Sequence, residues 1–231
     1  MQIQTRWPRS IFDSIFAFAP NRDTLGGTAY LIVENSADAA KDASTAKNLL
    51  IDAPAWNDET QEFLQQQGGV QRLFLTHRGG HGKAIEIQKT FGCEIVVQEQ
   101  EAYLLPNLEV TTFEREMQLS SSARALWTPG HSPGSACLHW SAQGGILFTG
   151  RHLLPTAQAD PAPLRSAKTF HWPRQIQSTR RILEAFSPES LAFICPGASS
   201  GYLRGKGAID RAYDRLAQLD LDALQQTKVL M

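Results

Sequence analysis

Apolar and polar positions change their spacing several times along this chain. Short β-rich apolar runs, bounded by glycine, proline or acidic residues, occur at TAYLIV (28–33), NLLIDAP (48–54), VQRLFLT (70–76) and CEIVVQ (93–98). Such runs predict strands. Between them, DETQEFLQQQGG (58–69) has helical spacing, with Asn57 or Asp58 at its start and glycines at its end; Lys83 to Phe91 form a second helix closed by Gly92. LEVTTF (108–113), ARALWT (123–128), SACLHW (135–140) and GGILFTG (144–150) read as one meandering sheet. A third helix is expected over PRQIQSTRRILEAF, with Pro173 in its first turn and Ile176, Ile182, Leu183 and Phe186 facing inward. LAFICPG is expected to be the final strand, and AIDRAYDRLAQLDLDALQQ supplies the last helices.

Two stretches break the pattern. Residues 34–47, ENSADAAKDASTAK, hold few large apolar side chains and read as an exposed loop. Residues 155–173 are proline-rich without a period and read as a loop crossing over the site. Near the start, FDSIFAFAP gathers Phe12, Ile15, Phe16 and Phe18, which either pack on the body of the protein or face a partner. The whole chain, 1–231, is expected to be a single layered domain in which helices cover sheets.

Charge narrows the field of functions. With 22 basic and 23 acidic residues, the net charge of −1 gives no strong nucleic-acid signal. No apolar stretch is long enough for a transmembrane segment. Three cysteines, Cys93, Cys137 and Cys195, have neither zinc-finger spacing nor the density of a disulfide framework. Reduced, buried thiols and a cytoplasmic location are the expectation.

The candidate chemistry lies where strands run into glycine-rich turns. His77 and His81 flank Gly79 and Gly80 in THRGGHG, and a helical turn would place both rings on one side. The glycines also suit an anion-binding turn of backbone N–H groups. His131 stands between two Pro-Gly pairs in TPGHSPGS, a stiff turn that presents one ring. Arg151 and His152 follow the strand ILFTG, with His152 expected at a strand-end surface. Ala198 follows FICPG, whose Cys195 reads as a packing residue at the end of an apolar strand. Asp52, ending NLLID, is either solvated or turned inward to hold a neighbouring loop.

Taken in order, LIDAP, THRGGHG, TPGHSPGS, LFTG and CPG resemble the motifs of the metallo-β-lactamase fold superfamily. The resemblance covers most of the chain and implies an α/β, αββα four-layer sandwich with a dinuclear zinc or iron site at one sheet edge. Against the family's Thr-His-x-His-x-Asp-His box, Thr76 and His77 are kept, Gly79 and Gly82 replace histidines, and His81 replaces the aspartate. His131 keeps its ligand place. Arg151 replaces the aspartate that bridges the two metals, and Ala198 replaces the last histidine.

These replacements predict a degenerate site. Glycine and alanine offer no side-chain donor, and a guanidinium has donors but no acceptor. At about 4 Å and an effective dielectric near 20, two unit charges interact by roughly 4 kcal/mol; against a dication the repulsion is larger. The resemblance therefore implies a non-catalytic binding or protein-interaction module with a vestigial pocket, a pseudoenzyme with no cofactor. Its partner would be a small polar or anionic ligand, or another protein. The alternative is a mononuclear hydrolase resembling glyoxalase II, with one zinc ion on His77, His81 and His131, or with His152 as a substitute ligand, acting on an ester or thioester.

Overall fold

In the computed structural model, residues 7–34 and 47–228 are described. The loop expected at 34–47 lies outside them except for its two end residues. The chain divides into two compact units. The first runs to Leu75 and takes in Gly79–Val97 and Leu105–Thr111. The second holds Thr76–Arg78, Gln98–Leu104 and everything from Thr112 onward.

One sheet, most of it in the first unit, has strands β1 (Arg9–Phe12), β2 (Ile15–Ala17), β3 (Tyr30–Ile32), β4 (Leu49–Ile51), β5 (Arg72–Phe74), β6 (Glu94–Gln98) and β7 (Val110–Phe113), adjacent in that order. β1 to β4 pair antiparallel, whereas β4, β5 and β6 run parallel. The parallel strands are unbroken apolar runs because they are buried on both faces: Leu50, Leu73 and Ile95 are fully enclosed.

Helix α1 (Asp58–Gln66) starts where the Asn57 side chain accepts the Thr60 N–H at 2.9 Å, a cap worth about 1 kcal/mol. Its Phe63 receives the rings of Trp7, Phe16 and Phe18 edge-on at 5.6, 5.2 and 5.9 Å between centroids. The apolar N-terminal stretch is thus a hairpin packed on α1, with Ile15 and Phe18 buried. Helix α2 (Ala84–Phe91) ends at Gly92, whose φ of 64° lets the chain turn back.

The second unit carries β8 (Glu116–Gln118), β9 (Ala123–Trp127), β10 (Ala136–Trp140), β11 (Ile146–Gly150), β12 (Leu154–Pro155), β13 (Pro161–Ala162), α3 (Trp172–Ala185), β14 (Phe193–Pro196), β15 (Ile209–Asp210), α4 (Ala212–Ala217) and α5 (Leu221–Gln225). Its main sheet has the order β15-β14-β11-β10-β9-β8. β8 to β11 form an antiparallel meander, β14 joins β11 in parallel, and β15 closes the edge antiparallel. Ile182, Phe186, Leu147 and Ile194 meet in one buried cluster with Leu216 and Cys137, so α3 and α4 cover the sheet.

Several expectations change here. LEVTTF belongs to the first sheet, not to the meander, whose fourth strand is the polar β8. FICP is not the last strand, because Ile209–Asp210 pairs with it. Residues 155–173 contain the β12–β13 ladder, and α3 begins one residue before Pro173, capped by the His171 ring accepting the Arg174 N–H at 3.2 Å.

Candidate functional site

The second unit holds Thr76–Arg78 and the turns of His131, Arg151 and Ala198. Backbone contact comes first. The Ala136 N–H donates to the Thr76 carbonyl at 2.8 Å, fixing the His77 turn to the start of β10. Gly150, at φ 51°, presses on Thr76: a Cβ there would stand 2.6 Å from the threonine Cβ. Gly197 lies in turn against Gly150, its N–H donating to the Gly150 carbonyl at 2.7 Å. Only glycine permits this nesting of three turns. It brings His77, Arg151 and Ala198 to one end of the unit.

The His131 turn is held from every side. Gly134 donates its N–H to the Glu101 carboxylate at 3.1 Å, and the Ser132 and Ser135 hydroxyls bond at 2.8 Å. From α3, Ser178 donates to the Pro129 carbonyl at 2.9 Å. The His171 N–H donates to Gly130 and the Phe170 N–H to His131 itself, at 2.9 and 3.0 Å. The result is a fixed turn, from which the His131 ring stands T-shaped on His77 at 5.3 Å between centroids. His77 is buried, with Nδ1 2.9 Å from Thr76 Oγ1.

Cations dominate the field at His131. Burial first, then Arg151, Arg78 and Lys168, push its pKa down to about 4, so the ring is neutral at pH 7. Glu101 is the acid beneath the turn. Burial raises its pKa against the opposing hydrogen bonds from Ser132 and Gly134 and the charge of Arg78.

His152 departs from its expected place at the surface. It is 1% exposed, with its carbonyl accepting from Gln175 at 2.9 Å and its Nε2 3.4 Å from Thr179 Oγ1; Nδ1 has no hydrogen-bond partner. Burial, and then His131, push its pKa down to about 3. This sets a sign for acid stability. The unfolded chain takes up a proton near the ordinary value of 6.5 and the folded chain does not, so stability is present above that pH and is lost as pH falls toward 3. The loss is about 1.4 kcal/mol per pH unit for each such histidine, and His131 adds to it down to about 4. Urea unfolding at pH 7 and pH 5 should show this loss, and His152→Gln should flatten the slope; equal stability at both pH values would refute it.

His81 and the two glycines of its turn belong to the first unit. Residues 77–83 form turns rather than a helical turn, so helical spacing does not align the two histidines. The His81 carbonyl accepts the Ala84 N–H at 2.8 Å, opening α2. Asp52 is buried, and its carboxylate fills the space against Gly80, where a Cβ would lie 2.6 Å from Cγ. The Gly79–Gly80 turn therefore has an acid of its own beside it. At Gly82, with φ 39°, a side chain would meet the Ala53 Cβ at 2.9 Å, so no ligand fits there without moving the backbone.

These donors do not suit a two-metal centre. Among the described residues no group of three or more His, Cys, Asp or Glu side chains could hold a metal ion. Among the described residues His77 and His131 are neighbours but no third His, Cys, Asp or Glu joins them in a metal-holding group; Ala198 has nothing to donate, and Arg151 brings positive charge. Cys195 is fully buried, and burial raises its pKa, which makes it a packing residue rather than a nucleophile.

The sequence did not reveal Arg78, Lys168 or Glu101 as members of this site. Surface arginines and lysines look alike in sequence, and Glu101 reaches the turn through the Gly134 N–H, 33 positions away. Among the described residues, no helix is long and apolar enough to cross a membrane.

No protein-family model matches the chain. A hydroxyacylglutathione hydrolase of Rhizobium etli is 27% identical over 103 residues, which cover 43% of this chain and 40% of that protein. Among solved structures, ETHE1 from Myxococcus xanthus superposes with a TM-score of 0.64 at 15% identity, covering 94% of this chain and 92% of its own. A metallo-β-lactamase family protein of Thermus thermophilus, TTHA1429, gives 0.63 at 16% identity over 93% and 81%. TTHA1623, solved in a di-iron-bound form, gives 0.61 at 18% over 90% and 96%. The fold is therefore the αββα fold of these metallo-β-lactamase-type structures, and no metal-binding cluster is present among the described residues.

Proposed function

We propose that this metallo-β-lactamase-fold chain is a non-catalytic binding module that takes a small anion at the His131 turn. The observation that carries the reading is the set of three cations, Arg78, Arg151 and Lys168, bearing on the neutral His131 of a hydrogen-bonded turn. Where the fold's hydrolases set a bridging carboxylate, this chain sets a guanidinium. An anion fits that field and a dication does not. Arginine suits planar or tetrahedral oxyanions because it donates two parallel hydrogen bonds. Three buried free thiols accord with a reducing, cytoplasmic setting.

A second reading is favoured by the hydroxyacylglutathione hydrolase likeness and by the contact of His77 with His131. It is a one-zinc hydrolase resembling glyoxalase II, with those two rings among the ligands.

Calorimetric titration of protein purified without a nickel column separates the two. Inorganic phosphate should bind saturably and raise the His131 pKa, while zinc should bind substoichiometrically. One tightly held zinc per chain, lost in both His77→Ala and His131→Ala, would replace the first reading with the second.

A further inference from the structure

Away from the His131 turn, the second unit contains a cavity of about 340 Å³ between the meander edge and α3. Its α3 wall is Ser178, Arg181, Ile182 and Ala185, one helical face by spacing. Facing it are Arg115, Glu116 and the β9 residues Leu126 and Trp127. Leu126, Ile182 and Phe186 make an apolar floor.

Charge on the rim is unbalanced. Among the described residues, the guanidinium groups of Arg115 and Arg181 have neither an ion pair nor a hydrogen bond. The one acid in the lining, Glu116, already faces Arg124 at 3.7 Å. Two unpaired guanidiniums above an apolar floor match an organic anion with a carboxylate head and a flat apolar body. The volume is at the lower end of the range of roughly 300–1,000 Å³ usual for small-molecule sites.

We propose that this cavity is a second ligand site, for an aromatic or similarly apolar monocarboxylate, whose head is held by Arg115 and Arg181 and whose body lies on Leu126, Ile182 and Phe186. It does not depend on the anion site at His131. The two are nevertheless mechanically linked, because the cavity walls grip both flanks of the His131 turn: Ser178 donates to the Pro129 carbonyl and the Trp127 indole N–H to the Pro133 carbonyl, each at 2.9 Å.

The test is an NMR titration of isotope-labelled full-length protein with 2-naphthoate, alongside 2-naphthalenemethanol, which has the same body without the charge. Naphthoate should bind saturably, moving the Trp127 indole resonance and the amides of the His131 turn. The alcohol should bind about tenfold or more weaker, and Arg115→Gln/Arg181→Gln should weaken naphthoate by a similar factor. Absence of a saturable Trp127 shift, or equal affinity for acid and alcohol, would overturn the proposal. So would unchanged naphthoate affinity in the double variant.

Discussion

Gly130→Ala is expected to cost about 3 kcal/mol or more of folding stability, a large share of what a domain of this kind possesses. The added Cβ would overlap the Cα and Cβ of Gln175 and sit 2.5 Å from its backbone N. Neither side can yield cheaply. Gln175 is inside α3 with its amide bonded to the His152 carbonyl, and the turn is tied to α3 through Pro129 and Gly130. Gly130 also has a φ of 148°, which side-chain-bearing residues rarely adopt. Gly201→Ala is the control, since nothing lies within 4 Å of its Cβ position; it should change stability by less than about 1 kcal/mol. Equilibrium urea unfolding measures both. Equal midpoints would mean that the turn and helix are not locked together.

Arg151→Gln should weaken phosphate binding about tenfold and raise the His131 pKa from about 4 toward the ordinary histidine range. Arg151 is the largest of the three cationic influences on that ring, although burial outweighs all of them. Removing it therefore moves the titration upward without restoring it fully. Arg151→Asp should go further in the same direction, because a carboxylate favours the imidazolium. Histidine C–H resonances followed against pH read this directly. If the His131 midpoint and the phosphate affinity are both unmoved in either variant, Arg151 points away from the site and the anion reading fails.

Much of the frame was legible because its signals are local. Continuous apolar runs gave the parallel strands around Leu50, Leu73 and Ile95, and Asn57 and Gly92 marked helix ends by cap chemistry that depends only on neighbouring residues. Of the motif turns, Thr76-His77, His131, Arg151 and Ala198 lie in one unit, whereas Gly79, Gly80 and His81 belong to the other. What escaped depended on distant partners. Glu116 to Gln118 become a strand because β9 offers an edge, not because their composition asks for one. His152 has a polar neighbourhood in sequence and a buried one in space, supplied by Gln175 and Thr179 more than twenty positions away. Arg78 carries no motif signal of its own, yet its charge reaches His131 and Glu101.

The contact of Gly197 on Gly150, and of Gly150 on Thr76, has a consequence for how this chain tolerates change. A single methyl at either glycine would wedge apart loops whose backbones meet directly there, whereas trimming the imidazole of His131 leaves those backbone contacts intact. Saturation mutagenesis scored by abundance should therefore find its deepest intolerance at residues with no side chain at all, and leniency at the ring in the middle of the turn.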